Sequence, residues 1–313
     1  MLKYFIIPLA ENAVSFCHYE NTGRGSGFID PDLLSKAIMW AMKENLNVQF
    51  LYPDSIVPHN LEQIIESVDH IKIVPASTQS NDLLRNADVI VLDGFSECDF
   101  DISKTYVLRV TLEEFISKKD SLKLLLKKVA RLNVVFTDIQ IQSRKNIDTY
   151  GAFLEKLVYD VVSEYDKGHE VQLNVLTDRI MLAGMNNCNA GNDSVAMDLE
   201  GKFYPCPAFI KGDINCGTID TGLKIANHQL FNIKNAPICR QCDAWHCKRC
   251  VWLNYKLTKE YNTPGWQQCV MAHYERNASR KLLECLRKQQ PGYMQEVEIP
   301  KIEYLDPFTK IEY

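Results

Sequence analysis

Residues 239–250 read Cys-Arg-Gln-Cys-Asp-Ala-Trp-His-Cys-Lys-Arg-Cys, a C-x2-C-x4-C-x2-C run that sets four thiols on twelve residues. That density is too high for ordinary core packing, and the spacing is wrong for a simple disulfide ladder. A stretch of this kind reads as a metal nest. Cys188, Cys206, Cys216 and Cys269 surround it, so eight of the chain's eleven cysteines fall between positions 188 and 269. Cys17, Cys98 and Cys285 lie outside that window, and each is most simply a small core hydrophobe.

The redox setting follows from what precedes the cysteines. The first residues, Leu2 to Leu9, form a short apolar run broken by Pro8. A signal peptide needs a longer apolar region, and a membrane span needs roughly 20 apolar residues. The expected location is therefore the cytoplasm, with no membrane partner. In a reducing compartment clustered thiols are metal ligands or redox groups. A formal net charge of −5 without a clustered basic face gives no case for a nucleic-acid partner.

The first 175 residues or so alternate strand-like and helix-like segments. Leu2–Leu9 is a strand candidate, and Ala13–Cys17 continues it or forms another. Asp30-Pro31 supplies an N-cap and a first-turn proline for an amphipathic helix. Strands are expected at Val48–Tyr52, Ile71–Val74, Val89–Leu92, Tyr106–Val110, Val134–Phe136 and Val171–Leu176. Between them come helices over Leu61–Val68, Asp82–Asn86, Leu122–Leu132 with Asp120 as its cap, and Asp148–Tyr165. Thr111-Leu-Glu-Glu114 is a capping box. This alternation argues for an α/β fold, either an open parallel sheet or a partial (β/α) barrel. Gly23-Arg-Gly-Ser-Gly27 reads as a connecting loop, since it has neither the Lys-Ser/Thr of a P-loop nor G-x-G-x-x-G spacing.

Near Met181 the composition shifts to Asn, Gly and Cys. Ser194 to Cys206 reads as a β-hairpin turning at Glu200-Gly201, which would bring Cys188 and Cys206 together. Val251–Tyr261 and Trp266–Lys288 read as helices. The end of the chain, Glu296 to Tyr313, alternates apolar and acidic residues and reads either as a docking strand or as a loosely attached tail. The organisation expected is an α/β domain over 1–180, a small cysteine-rich domain with a hairpin and helices over 181–290, and a tail over 291–313.

Zinc and iron-sulfur clusters both take thiolates. A structural zinc usually draws two knuckles from well-separated segments, whereas these knuckles are adjacent and three thiols are left over. Seven thiolates and one further ligand match two four-iron clusters at about four ligands each. Zinc and plain reduced cysteines stay open on spacing alone.

Cys188, twelve residues, Gly201, four residues, Cys206, then the quartet and a distal Cys269 resemble the seven-cysteine SPASM domain of radical SAM peptide and protein maturases. The quartet's gaps of four and two are each one residue shorter than the usual pattern. The resemblance implies that Cys188, Cys206 and Cys250 ligate a first auxiliary 4Fe-4S cluster, and that Cys239, Cys242, Cys247 and Cys269 ligate a second. For the fourth ligand of the first cluster Cys216, His246, an exogenous ligand or an open iron site remain. The N-terminal part resembles a radical SAM partial barrel. Where that family carries C-x3-C-x2-C, however, this chain has Ser15-Phe-Cys-His-Tyr-Glu-Asn21, and Leu51-Tyr-Pro-Asp54 stands at the family's G-G-E-P. No S-adenosylmethionine binding is expected. The Ser15–Asn21 stretch and the Trp-His within the quartet are similar to the CXXX repeat peptide maturase family.

The resemblance implies an accessory maturase that binds a cysteine-rich precursor peptide or a partner radical SAM enzyme, without SAM cleavage of its own. The alternative is a zinc- or cluster-stabilised peptide-binding scaffold without catalysis. Cys17 and His18 as nucleophile and base are disfavoured, because adjacent side chains seldom face one substrate.

Overall fold

The computed structural model describes residues 2–299 except Thr22, Arg24, Ser26, Glu97, 183–188, Lys211, Asp213, Asp243 and 245–249. In chain order the elements are β1 (Tyr4–Pro8), α1 (Pro31–Lys43), β2 (Asn47–Leu51), α2 (His59–Ile65), β3 (His70–Pro75), α3 (Asn81–Arg85), β4 (Val89–Asp93) and β5 (Thr105–Val110). There follow α4 (Leu112–Ser117), α5 (Lys119–Leu126), β6 (Arg131–Phe136), α6 (Arg144–Tyr165), β7 (Gln172–Leu173), α7 (Asn174–Met181), β8 (Ser194–Met197) and β9 (Phe203–Tyr204). The last are β10 (Gly217–Thr218), β11 (Gly222–Leu223), α8 (Val251–Thr258) and α9 (Trp266–Gln289). The chain forms two units, each built from two stretches of sequence: residues 1–98 with 188–235, and residues 99–187 with 236–313.

In the first unit the strand order is β4-β3-β2-β1-β8-β9. All these pairs are parallel except β8 with β9, the hairpin. The inner strands are short runs of Ile, Val, Leu and Phe because parallel strands are covered on both faces. Helix α1 begins where Asp30 accepts hydrogen bonds from the Asp32 and Leu33 amides, at 3.0 and 3.1 Å. A cap of this kind contributes about 1 kcal/mol. The helix buries Leu34, Ala37, Ile38 and Ala41, and the Trp40 ring packs between Phe5 and Phe203 at 4.9 and 4.7 Å. The sheet and the hairpin thus share one aromatic core.

In the second unit β5, β6 and β7 pair in parallel. The capping box at Thr111 is present, with Glu114 reaching back to the cap backbone. Helix α6 starts four residues earlier than expected, because Ser143 caps it by accepting from the Asn146 amide at 3.3 Å. Helix α5 ends at Leu126 rather than running to Leu132, and the chain re-enters the sheet at Arg131. Asp120 sits in the first turn of α5, and the capping position is Lys118.

One expected strand is absent and another is cut short. Residues 13–17 form no strand; the Val14 amide donates to Tyr52 O at 2.9 Å, and the loop is then pinned by Asn21, whose side chain donates to the Glu11 and Ala13 carbonyls. The segment Val171–Leu176 is strand only at Gln172–Leu173, after which α7 begins. The Asn174 side-chain amide donates to Val134 O at 3.1 Å and accepts from Val134 N at 3.0 Å, which occupies the ladder position that a further strand residue would take.

Candidate metal centre

The hairpin that leads into the cysteine region is set by its turn. Asp198 accepts from the Glu200 and Lys202 amides, both at 2.9 Å, and from the Tyr204 hydroxyl at 3.0 Å. Gly201 has φ +83°, and a Cβ there would lie 3.1 Å from both Ile219 and Leu33. The left-handed turn and the close approach both call for glycine. Cys206 follows β9 and is half-buried at the start of a 3-10 turn over Pro207–Phe209. Cys216 is buried; its amide donates to Phe203 O at 2.6 Å, and burial pushes its thiol up to about 11.

In the second unit Cys239 is buried and opens a 3-10 turn ending at Cys242. The Cys242 sulfur accepts from the Ala244 amide at 3.3 Å and lies 3.6 Å from His273 Nε2. Cys250 caps α8, its sulfur accepting from the Leu253 amide at 3.5 Å. Its own amide donates to Gln268 Oε1 at 3.3 Å, and Gln268 in turn donates to Asn254 at 3.0 Å. Cys269 is in the first turn of α9, with His273 one turn later. Two sulfurs therefore receive backbone N–H groups, and one of them stands at a helix N-terminus.

The rotation of α9, and with it Cys269 and His273, is fixed by packing on α6 and α7. Gly151 lets the Tyr274 ring approach so closely that a Cβ would fall 2.7 Å from it. Arg179, 2 % exposed, pairs with Glu275 at 3.4 Å and donates to Ala272 O at 3.2 Å. Glu275 also accepts from the buried Tyr150 hydroxyl at 3.0 Å. The beginning of the expected tail is held against the same helix, with Arg287 donating to Val297 O at 2.7 Å and Arg280 to Ile299 O at 3.3 Å.

Of the seven expected ligands, Cys188 and Cys247 lie outside the described residues, as do His246 and residues 300–313. Among the described residues no three His, Cys, Asp or Glu side chains converge as a metal site. What the described residues do bring together is Cys242 with His273 across to α9, and Cys269 with His273 on one helical face. The donor chemistry, soft thiolates with N–H groups aimed at sulfur, fits a thiolate-bound metal. His273 was missed by sequence reasoning, although the C-x3-H spacing of Cys269 and His273 within an expected helix was the available signal.

The loop at the end of β1 has different chemistry. Cys17 is the single cysteine of residues 11–27, so this loop does not fit a cluster held by three thiolates. At the end of β2, Tyr52 is fully buried. A cleft of about 410 Å³ opens in the first unit beside this loop, lined by Glu11, Glu20, Asn21, Asp198, Glu200 and Tyr204 among others. No described helix is long and apolar enough to cross a membrane.

No family model matches the sequence, and no curated protein matches it. Solved structures do match. A structure of polyhistidine-tagged "anSMEcpe with bound AdoMet" aligns with a TM-score of 0.63 at 12% identity, over 95% of this chain and 98% of that one. "Native anSMEcpe with bound AdoMet and Cp18Cys peptide" aligns with a TM-score of 0.64 at 13% identity, over 92% and 99%. The protein in both is an anaerobic sulfatase-maturating radical SAM enzyme. At this identity the likeness establishes the fold alone, an α/β fold with a largely parallel sheet arranged as in those structures.

Proposed function

We propose that this chain is an accessory maturase of ribosomally made peptides, a radical SAM-like scaffold that binds peptide and carries auxiliary clusters without cleaving S-adenosylmethionine. The observation that carries the reading is a contrast. The fold is that of an AdoMet- and peptide-bound maturase over nearly its whole length, yet the loop after β1 offers one thiol, Cys17, where AdoMet chemistry needs a three-thiolate cluster. Eight of the other ten cysteines lie between positions 188 and 269.

On this reading residues 1–180 are the barrel domain, 181–290 the SPASM-like cluster domain and 291–313 a tail. Cys188, Cys206 and Cys250, with Cys216 as the candidate fourth, hold one 4Fe-4S cluster; Cys239, Cys242, Cys247 and Cys269 hold the other. Bound there, the clusters supply a site for a substrate thiol or a relay for electrons. The chain is read as one of the CXXX repeat peptide maturases, with a cysteine-rich precursor peptide, a partner radical SAM enzyme or both as its partners, in the cytoplasm. The four carboxylates of the cleft, set against Lys202 alone among its described lining residues, suit a cationic segment of such a peptide.

The test is anaerobic purification with iron, acid-labile sulfide and zinc measured per chain, followed by incubation with AdoMet and dithionite. About eight irons with matching sulfide and no 5′-deoxyadenosine are expected. Zinc without sulfide would convert the cluster domain into a structural scaffold, and formation of 5′-deoxyadenosine would overturn the accessory role.

A further inference from the structure

Among the described residues, His273 approaches a cysteine of the seven-thiol pattern without belonging to it. Its Nε2 lies 3.6 Å from the sulfur of Cys242, which already accepts the Ala244 amide at 3.3 Å. The His273 ring nitrogen and the Ala244 amide thus converge on one sulfur, and a sulfur that ligates a metal keeps lone pairs that can accept from both. The contact is not left to a flexible side chain on a loose element. The neighbours of His273 on α9 are Ala272, whose carbonyl takes the Arg179 guanidinium, and Tyr274, seated over Gly151. The next residue, Glu275, is buried with Arg179 and Tyr150. Helix rotation is therefore fixed on both sides of the ring, and the same helix face presents Cys269 one turn earlier.

We infer that His273 is a positioning residue for the metal centre, donating Nε2–H to the Cys242 sulfur so that this thiolate is held in place and its electron density on the metal is reduced. The inference rests on the reading of Cys242 as a ligand. A hydrogen bond to a ligating sulfur stabilises the more negative, reduced state of a cluster, so its presence raises the reduction potential.

The test compares full-length wild type, His273→Gln and His273→Leu, each purified without oxygen. Iron, sulfide and zinc per chain are measured together with an EPR-monitored reductive titration. Glutamine keeps a side-chain N–H within reach of sulfur and leucine does not. The expected result is equal iron and sulfide in all three proteins, a shift of one cluster to a more negative potential in His273→Leu, and substantial recovery of the wild-type potential in His273→Gln. Loss of iron from both variants would make His273 a ligand and overturn the donor role. Identical potentials in all three proteins would overturn it as well. Wild-type protein without iron and sulfide would remove the cluster reading itself, an outcome distinct from the other two.

Discussion

Replacement of Glu275 by leucine tests the most concentrated polar energetics of the second unit. Glu275 is 7 % exposed and holds two partners, the guanidinium of Arg179 at 3.4 Å and the hydroxyl of Tyr150 at 3.0 Å. Burial raises the Tyr150 phenol well above its ordinary range, so it is a proton donor at any physiological pH. Removing the carboxylate leaves a cation that is 2 % exposed on its side chain. The Nε of that cation already has no partner among the described residues. Breaking a buried pair from one side costs about 3–5 kcal/mol. A buried hydroxyl that loses its acceptor adds about 1–3 kcal/mol. Against a typical total stability of about 5–15 kcal/mol this is a large loss. Arg179→Met combined with Glu275→Leu removes both charges and is expected to recover most of the deficit, since an apolar replacement of both members of a buried pair is often neutral. Urea unfolding followed by far-ultraviolet circular dichroism gives the three midpoints. A single-variant cost below about 1 kcal/mol, or a double variant no more stable than Glu275→Leu, would refute the view that this pair needs its partner and fixes α9.

Three further perturbations act elsewhere in the two units. Gly151→Ala gains about 1 kcal/mol of helix propensity, but its Cβ falls 2.7 Å from the Tyr274 ring; it should be net destabilising by thermal melting, and Tyr274→Ala in the same chain should relieve the clash. Asn174→Val removes the two bonds that its side chain makes to the Val134 N–H and C=O, a loss of up to about 2–6 kcal/mol at about 1–3 kcal/mol for each; denaturant midpoints no lower than wild type would contradict this. In the metal-free chain, where Cys216 ligates nothing, burial raises its folded thiol to about 11 against an ordinary 9.0, so the protonated form is the one that folding favours. Its contribution, at most about 3 kcal/mol at 1.36 kcal/mol per pKa unit, is complete below pH ~9 and lost as pH rises to ~11; Cys216→Ala should remove that part of the alkaline decline in stability.

The elements that were legible from sequence alone are those whose signals are local. Asp30-Pro31 and the Thr111–Glu114 box announce α1 and α4 because a cap is a contact within four residues. The turn at Gly201 is likewise a backbone demand that one residue type meets. Residues 171–176 were misread as one strand because their apolar pattern says nothing about what lies opposite. The strand stops at Leu173 since a side chain, Asn174, meets both backbone groups of Val134, forty residues earlier in the chain. His273 was overlooked for the same physical reason. The seven-cysteine pattern could be counted along the chain, but the approach of His273 to Cys242 depends on where α9 is set by Gly151, Arg179 and Tyr150. Candidate ligands can therefore be counted along the chain, while a group that approaches one of them, as His273 approaches Cys242, depends on the packing of a helix. Substitutions that disturb this packing, at Glu275 of α9 or at Gly151 of α6, should consequently alter the surroundings of Cys269 and His273 without removing any thiol.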